Sequence, residues 1–220
     1  MVEVADLPHV VAPELAAMMP DPARTALVVI DIQVDFAAPL GLLGRVGVDL
    51  APAELAIDRI EALIAAARAA GATIAFMRVV TREESDPGAL KRLMARRGMP
   101  GGEAICRISD GGADYYRITP QVGDIEIEKL LYDSFHGTDL DAQLRARGID
   151  TLIVTGLSTD CCVDQTARSA FHHDYDVFVV SDACAAYEPD LHSGSLNVLQ
   201  KNCALLTTTS AVLATWGAAA

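Results

Sequence analysis

From Thr25 onward, short β-branched apolar runs alternate with longer Ala- and Leu-rich segments, and this alternation constrains the fold more than any other feature. Thr25–Ile32 (TALVVIDI), Thr73–Val80, Thr151–Gly156 (TLIVTG) and Val177–Ser181 (VFVVS) are almost wholly apolar rather than alternating. Strands of that kind are buried on both faces, which happens when helices cover both sides of a parallel sheet. Ile125–Leu130 and Cys203–Thr207 complete a set of six. Between them, helices are predicted over Ala51–Ala70 (with Gly71 as its stop), Asp86–Arg97, Asp139–Arg147 (stopped by Gly148), Val163–His173, His192–Asn202 and Ser210–Trp216. The expectation is an α/β fold: a three-layer αβα domain with a Rossmann-like, six-stranded, mostly parallel sheet. Right-handed crossovers then bring the functional loops to the carboxyl ends of the strands.

At 220 residues the chain has room for one such domain. The division expected is an N-terminal arm or leader, 1–24, rich in Pro and Ala and without clean periodicity, followed by the domain, 25–220. Apolar residues make up 51% and aromatics 5%, so the core is built from Ala, Val, Leu and Ile. A formal charge of −13 repels phosphate backbones and anionic lipid, which excludes nucleic acid and membrane surfaces as expected partners. No apolar run approaches the roughly 20 residues of a membrane helix. The N-terminus lacks the basic-then-apolar pattern of a signal peptide. Five cysteines in no disulfide-like spacing, two of them adjacent, fit a reducing cytoplasm.

Three polar residues fall where this architecture puts sites. Asp31 ends the first strand, Lys129 ends the third, and Cys162 follows the fourth and opens a helix. A cysteine at a helix N-terminus feels the positive end of the dipole, and a nearby lysine adds to the pull toward thiolate. Asp31 is then placed to take the thiol proton and pass it on. Cys106, Cys184 and Cys203 read as buried packing. Gly41, Gly44 and Gly47 have the wrong spacing for a dinucleotide loop, and adjacent His172 and His173 suit poorly the i, i+4 spacing of a zinc pair.

The segment from Gly156 to Ala170, with Thr159, Cys162, Val163, Thr166, Ala167 and Ala170, resembles the active-site signature G-x-x-T-x-x-C-V-x-x-T-A-x-x-A of the isochorismatase-like cysteine hydrolases. Val28–Phe36, with Asp31, is similar to that family's first-strand motif. Lys129 and the stretch Tyr132–Leu140 resemble its third-strand lysine and the loop behind it, and Ser181-Asp182-Ala183 fits after the fifth strand. The resemblance implies a cysteine hydrolase cleaving the C–N bond of a small linear amide, carbamoyl or ureido compound through a thioester. Asp31, Lys129 and Cys162 are its implied catalytic set, with Cys161 on a variable position. It also implies a cis peptide at Leu157–Ser158 and an oxyanion hole of the Ser158 and Cys162 amides.

Within that superfamily, nicotinamidases carry Asp and His metal ligands after the second strand. The stretch Phe76–Ser85 here has no His, so no metal and no cofactor are expected. Isochorismatases proper often lack the cysteine. What remains is the metal-free branch similar to N-carbamoylsarcosine amidase, biuret hydrolase and ureidoacrylate amidohydrolase. Candidate substrate contacts are Gln33, Phe36, Arg78, Arg82, Phe135 and His136. Arg78 and Arg82 either clamp a substrate carboxylate or pair with the acidic surface. His136 either touches substrate or belongs to its loop. Gly98–Gly112 is a lid or a subunit contact. Rival readings are a nicotinamidase-like metal-dependent amidase, an isochorismatase-type hydrolase, a non-catalytic binding domain and a thiol redox sensor. A homo-oligomer, dimer or tetramer, is implied by the resemblance alone.

Overall fold

In a computed structural model, which describes residues 3–18 and 21–217, the strands are β1 (Thr25–Ile30), β2 (Thr73–Val79), β3 (Ile125–Lys129), β4 (Thr151–Leu157), β5 (Asp176–Ala185) and β6 (Leu205–Thr207). The α-helices are α1 (Ala12–Met18), α2 (Val34–Ala37), α3 (Leu42–Arg45), α4 (Ala51–Ala70), α5 (Gly88–Arg96), α6 (Leu140–Ala146), α7 (Asp164–His172), α8 (Pro189–Asn202) and α9 (Thr209–Thr215). The sheet order is β3-β2-β1-β4-β5-β6 and every pairing is parallel.

The period-2 geometry of a strand explains the three layers. Ala26, Val28 and Ile30 of β1 pack into a core with Leu140 and Leu144 of α6, Ala167 and Ala170 of α7, and Leu196 and Leu199 of α8. Leu27 and Val29 point the other way, into a core with Leu15 of α1, Ile57, Ile60 and Leu63 of α4, and Val212 of α9. All six β1 side chains are buried. α4 ends where Gly71 turns left-handed (φ 77°), which an L side chain resists.

The residues expected as an arm lie against the domain. Leu15 is fully buried, α1 packs on α9, and the Val10 N–H donates to the Leu206 carbonyl at 2.8 Å. His9 Nε2 lies 2.8 Å from the Ser181 hydroxyl. Met19 and Pro20 of this segment, and Met1 and Val2, lie outside the described residues.

The order of the strands fixes where a site can form. β2 and β3 build out on one side of β1 and β4 to β6 on the other, so the direction in which strands are added to the sheet reverses between β1 and β4. A crevice opens at the carboxyl ends on either side of such a switch point. The two strands are pressed together there. Gly156, paired with Ile30, has φ 120°, and a Cβ on it would lie 2.2 Å from the Ile30 carbonyl oxygen. Gly156→Ala is expected to cost more than about 3 kcal/mol of stability, read as the fall in unfolding free energy by urea titration.

Candidate active site

Asp31 sits just past β1 with a left-handed backbone (φ 56°), a conformation Asp tolerates better than most residues. Its N–H is held by the Met77 carbonyl at 3.0 Å, and its side chain is buried. Lys129, at the end of β3, reaches across β2 to it. The three Nζ protons are all engaged: Asp31 Oδ2 at 2.8 Å, the Tyr132 carbonyl at 2.9 Å and the Leu131 carbonyl at 3.1 Å. The ion pair is almost wholly hidden from solvent. Asp31 Oδ1, by contrast, is buried without a hydrogen-bond partner.

Cys162 lies beyond β4, inside a π-helical turn over Thr159–Val163 that leads into α7. The N–H groups of Cys161 and Val163 both donate to the Ser158 carbonyl at 3.1 Å. The Leu157–Ser158 peptide is cis. Thr159, fully buried, fixes the turn from outside through a 2.8 Å hydrogen bond between its hydroxyl and Nδ1 of His192 on α8.

Burial raises the Asp31 pKa, while Lys129 first and the Cys162 thiol next oppose the rise. Burial also works against the Lys129 charge, yet Asp31 beside it holds its pKa above the ordinary value. The expectation that the helix end and Lys129 would hold Cys162 as thiolate is corrected. The neighbouring Cys161 sulfur, burial and the Asp31 charge together push the Cys162 thiol up. The reason is structural: only 5% of Cys162 is exposed, and the negative carboxylate opposes the positive lysine. The carboxylate next to this thiol is Asp31, whose Oδ1 has no hydrogen-bond partner.

A cavity of about 210 Å³ opens in front of this group. Ser158, Cys161 and Cys162 form its floor, and Phe36, Leu131 and Tyr187 are among its walls. Tyr187 donates its hydroxyl to the Phe36 carbonyl at 2.8 Å, tying β5's exit to α2. The Gly98–Gly112 segment supplies Gly102 and Ile105 to the wall. It is pinned there by buried Asp35, whose carboxylate accepts from the Cys106 N–H at 2.8 Å and the Leu42 N–H at 2.9 Å.

Of the expected substrate contacts, Phe36 lines the cavity and the other five do not. Gln33 is fully buried and clamps β2, donating to the Val79 and Ala113 carbonyls and accepting from the Val79 N–H. Phe135 is turned into the core, stacked on His173 with ring centroids 4.9 Å apart. His136 is exposed in the same loop. Arg78 bonds Glu128 on β3 at 2.7 Å, and Arg82 lies 3.6 Å from the same carboxylate. Both arginines therefore follow the acidic-surface alternative, because Glu128 is Arg78's register partner on the neighbouring strand. The sequence reading missed Leu90 and Met94 of α5, Tyr132, Tyr187 and the His192 contact. Tyr132 lies three residues past Lys129, inside the motif stretch; the others meet the site from distant parts of the chain, and the apolar, half-exposed face of α5 was their one signal.

The parallel sheet, the switch-point cavity and the buried acid–lysine pair beside a cysteine mark an enzyme of the α/β class with a cysteine at its site. Residues 25–211 match the model of the Isochorismatase domain, and the chain belongs to that family. It is 37% identical over 192 residues to the ureidoacrylate amidohydrolase RutB of Methylobacterium radiotolerans, covering 80% of this chain and 73% of that protein. Among solved structures, a cysteine hydrolase from Pseudomonas syringae pv. phaseolicola superposes with a TM-score of 0.78 at 31% identity, covering 90% and 94% of the two chains. The N-carbamoylsarcosine amidase of Thermoplasma acidophilum does so with 0.65 at 30% identity, covering 84% and 96%. Among the described residues no helix is long and apolar enough to cross a membrane, and no three His, Cys, Asp or Glu side chains are grouped to hold a metal ion.

Proposed function

We propose that this chain is an amidohydrolase that cleaves the C–N bond of a small amide, carbamoyl or ureido compound with Cys162 as nucleophile. The observation that carries the reading is the division of labour on Asp31: Oδ2 is held by Lys129, and Oδ1 is left free in a buried site beside the thiol. The names of the relatives, an amidohydrolase of ureidoacrylate and an amidase of N-carbamoylsarcosine, support the reaction class.

Asp31 takes the Cys162 proton as sulfur attacks the substrate carbonyl and the S–C bond forms. The Ser158 and Cys162 amides, at the cavity floor, hold the tetrahedral oxyanion; losing one such donor costs about 100- to 1000-fold in rate. The C–N bond then breaks, the nitrogen leaves with the proton from Asp31, and a thioester remains. Water attacks the thioester, gives a proton to Asp31, and the S–C bond breaks. The proton returns to sulfur, so acid (or carbamate) and ammonia or amine are the only products. Lys129 favours the ionised form of Asp31 at the two points where Asp31 must accept a proton. No cofactor enters the scheme.

The homo-oligomer, dimer or tetramer, stays part of this proposal through likeness to the family. The cytoplasm does so because all five cysteines are free, as a reducing compartment keeps them.

The direct test is ammonia release from a panel of carbamoyl, ureido and simple amide compounds after exhaustive chelation. Turnover in the chelated enzyme is the expected result. Turnover lost on chelation and restored by zinc would point to a metal-dependent amidase instead.

A further inference from the structure

Resting on the amidase reading, we propose that the site takes an uncharged substrate with an apolar tail and discriminates against amides and ureides that carry a carboxylate. A site for a small anionic substrate needs a cation or a set of donors opposite the carboxylate. Among the described residues that line the cavity no side chain is cationic, and beyond the catalytic floor and the hydroxyls of Thr81 and Tyr187 the neutral Tyr132 phenol supplies a single donor rather than a set. The cavity's apolar lining beyond the catalytic floor includes Leu90, Met94, Ile105, Leu130, Leu131 and Phe36.

Two of the hydroxyls that reach the cavity are already engaged. The Thr81 hydroxyl donates to the Ile105 carbonyl at 2.7 Å, and the Tyr187 hydroxyl donates to the Phe36 carbonyl at 2.8 Å. Lys129 is behind the floor with all three protons used. Arg78 and Arg82 are drawn away to Glu128, Arg78 with its guanidinium 5.3 Å from the centre of the Tyr115 ring. Arg97 acts on the Tyr132 hydroxyl but is exposed and does not line the cavity. An exposed charge of that kind is screened by water and holds an anion weakly. The net charge of −13 adds long-range repulsion to any anion approaching the mouth.

The volume of about 210 Å³ is below the roughly 300–1,000 Å³ of sites for drug-sized ligands, so the tail is short. The substrate class that fits is a neutral aliphatic primary amide or an N-alkylurea of a few carbons.

The experiment compares kcat/KM for matched pairs: hexanamide against adipic acid monoamide, and N-butylurea against N-carbamoyl-β-alanine, with ureidoacrylate added to the anionic arm. The neutral member of each pair is expected to be favoured by at least about 100-fold, the penalty for burying an unpaired carboxylate. Met94→Arg, which sets a guanidinium on the cavity wall, is expected to narrow that ratio by about tenfold or more. Equal or reversed preference in the wild type overturns the proposal while leaving the amidase reading in place. If such a reversed preference disappears in Arg97→Gln, Arg97 is the anion clamp. Silence on every compound overturns the amidase reading and the proposal with it.

Discussion

Replacing Cys162 with Ala is expected to lower kcat/KM by at least about 10,000-fold while the protein stays folded. The loss is large because the thiol has no understudy in the proposed scheme. Water would have to attack the amide directly, without the thioester that divides one high barrier into two. The fold should persist because the change removes one sulfur from a side chain at the boundary of core and cavity. A cost near 1 kcal/mol moves the midpoint of a domain this size by about 2–4 °C. Cys161→Ala separates the two sulfurs. Cys161 also lines the cavity, and its contact raises the Cys162 pKa, so its removal is expected to keep kcat/KM within about tenfold of wild type. Steady-state kinetics on the three proteins, with thermal melts alongside, reads both effects. A Cys161 variant that is dead beside an active Cys162 variant would reassign the nucleophile.

The fold was legible because apolar runs buried on both faces and long Ala-rich segments leave few alternatives. α4 was expected at Ala51–Ala70 with Gly71 as its stop, and those are its limits. Strand ends were less legible. β5 was expected to end at Ser181 and runs on to Ala185, because Gly156 and Leu157 of β4 pair with Cys184 and Ala185 beyond a register shift. Nothing local in Asp182–Ala185 signals that pairing. The N-terminal segment gave no periodic pattern because short pieces hold it: a bridge from His9 to Leu206, two buried leucines in separate cores (Leu7 and Leu15), and His9 on Ser181.

At the site, Asp31, Lys129 and Cys162 were legible as strand-end residues and as members of one motif set, and the structure brings them together. The residues around them were harder to read. Gln33 and Phe135 sit beside the motif residues in sequence, and that proximity suggested substrate contact. Backbone direction decided otherwise: both side chains turn inward, one to clamp β2 and one to fill the core. Arg78 shows how a neighbouring strand overrides a local reading, since Glu128 becomes visible as its partner only once β2 and β3 are in register. α5 and the Gly98–Gly112 segment reach the cavity through tertiary contacts, above all Asp35 with the Cys106 N–H, which no periodicity encodes.

The Asp31–Lys129 pair yields the second large effect, and its sign depends on which partner is removed. Asp31→Asn keeps the shape but cannot take or give the proton, so kcat/KM is expected to fall by at least about 1,000-fold at every pH. Lys129→Met acts through Asp31. Burial already raises the Asp31 pKa, and Lys129 is the strongest influence opposing it. Without the lysine the carboxyl stays protonated to higher pH, so the acidic limb of kcat/KM is expected to move upward and activity at neutral pH to collapse. Stability should follow the same proton. An acid whose folded pKa lies above its unfolded value binds its proton more tightly when folded. Its contribution is therefore full below the unfolded carboxylate range and is lost as pH rises through the folded pKa. In Lys129→Met that window widens toward neutrality, so the variant should be clearly less stable at pH 8 than at pH 5, by urea titration. The wild type, with Lys129 opposing the rise, should lose less over the same interval. An unchanged acidic limb in Lys129→Met, with an unchanged stability profile, would mean that the lysine does not control the Asp31 proton and that its place in the site is only structural.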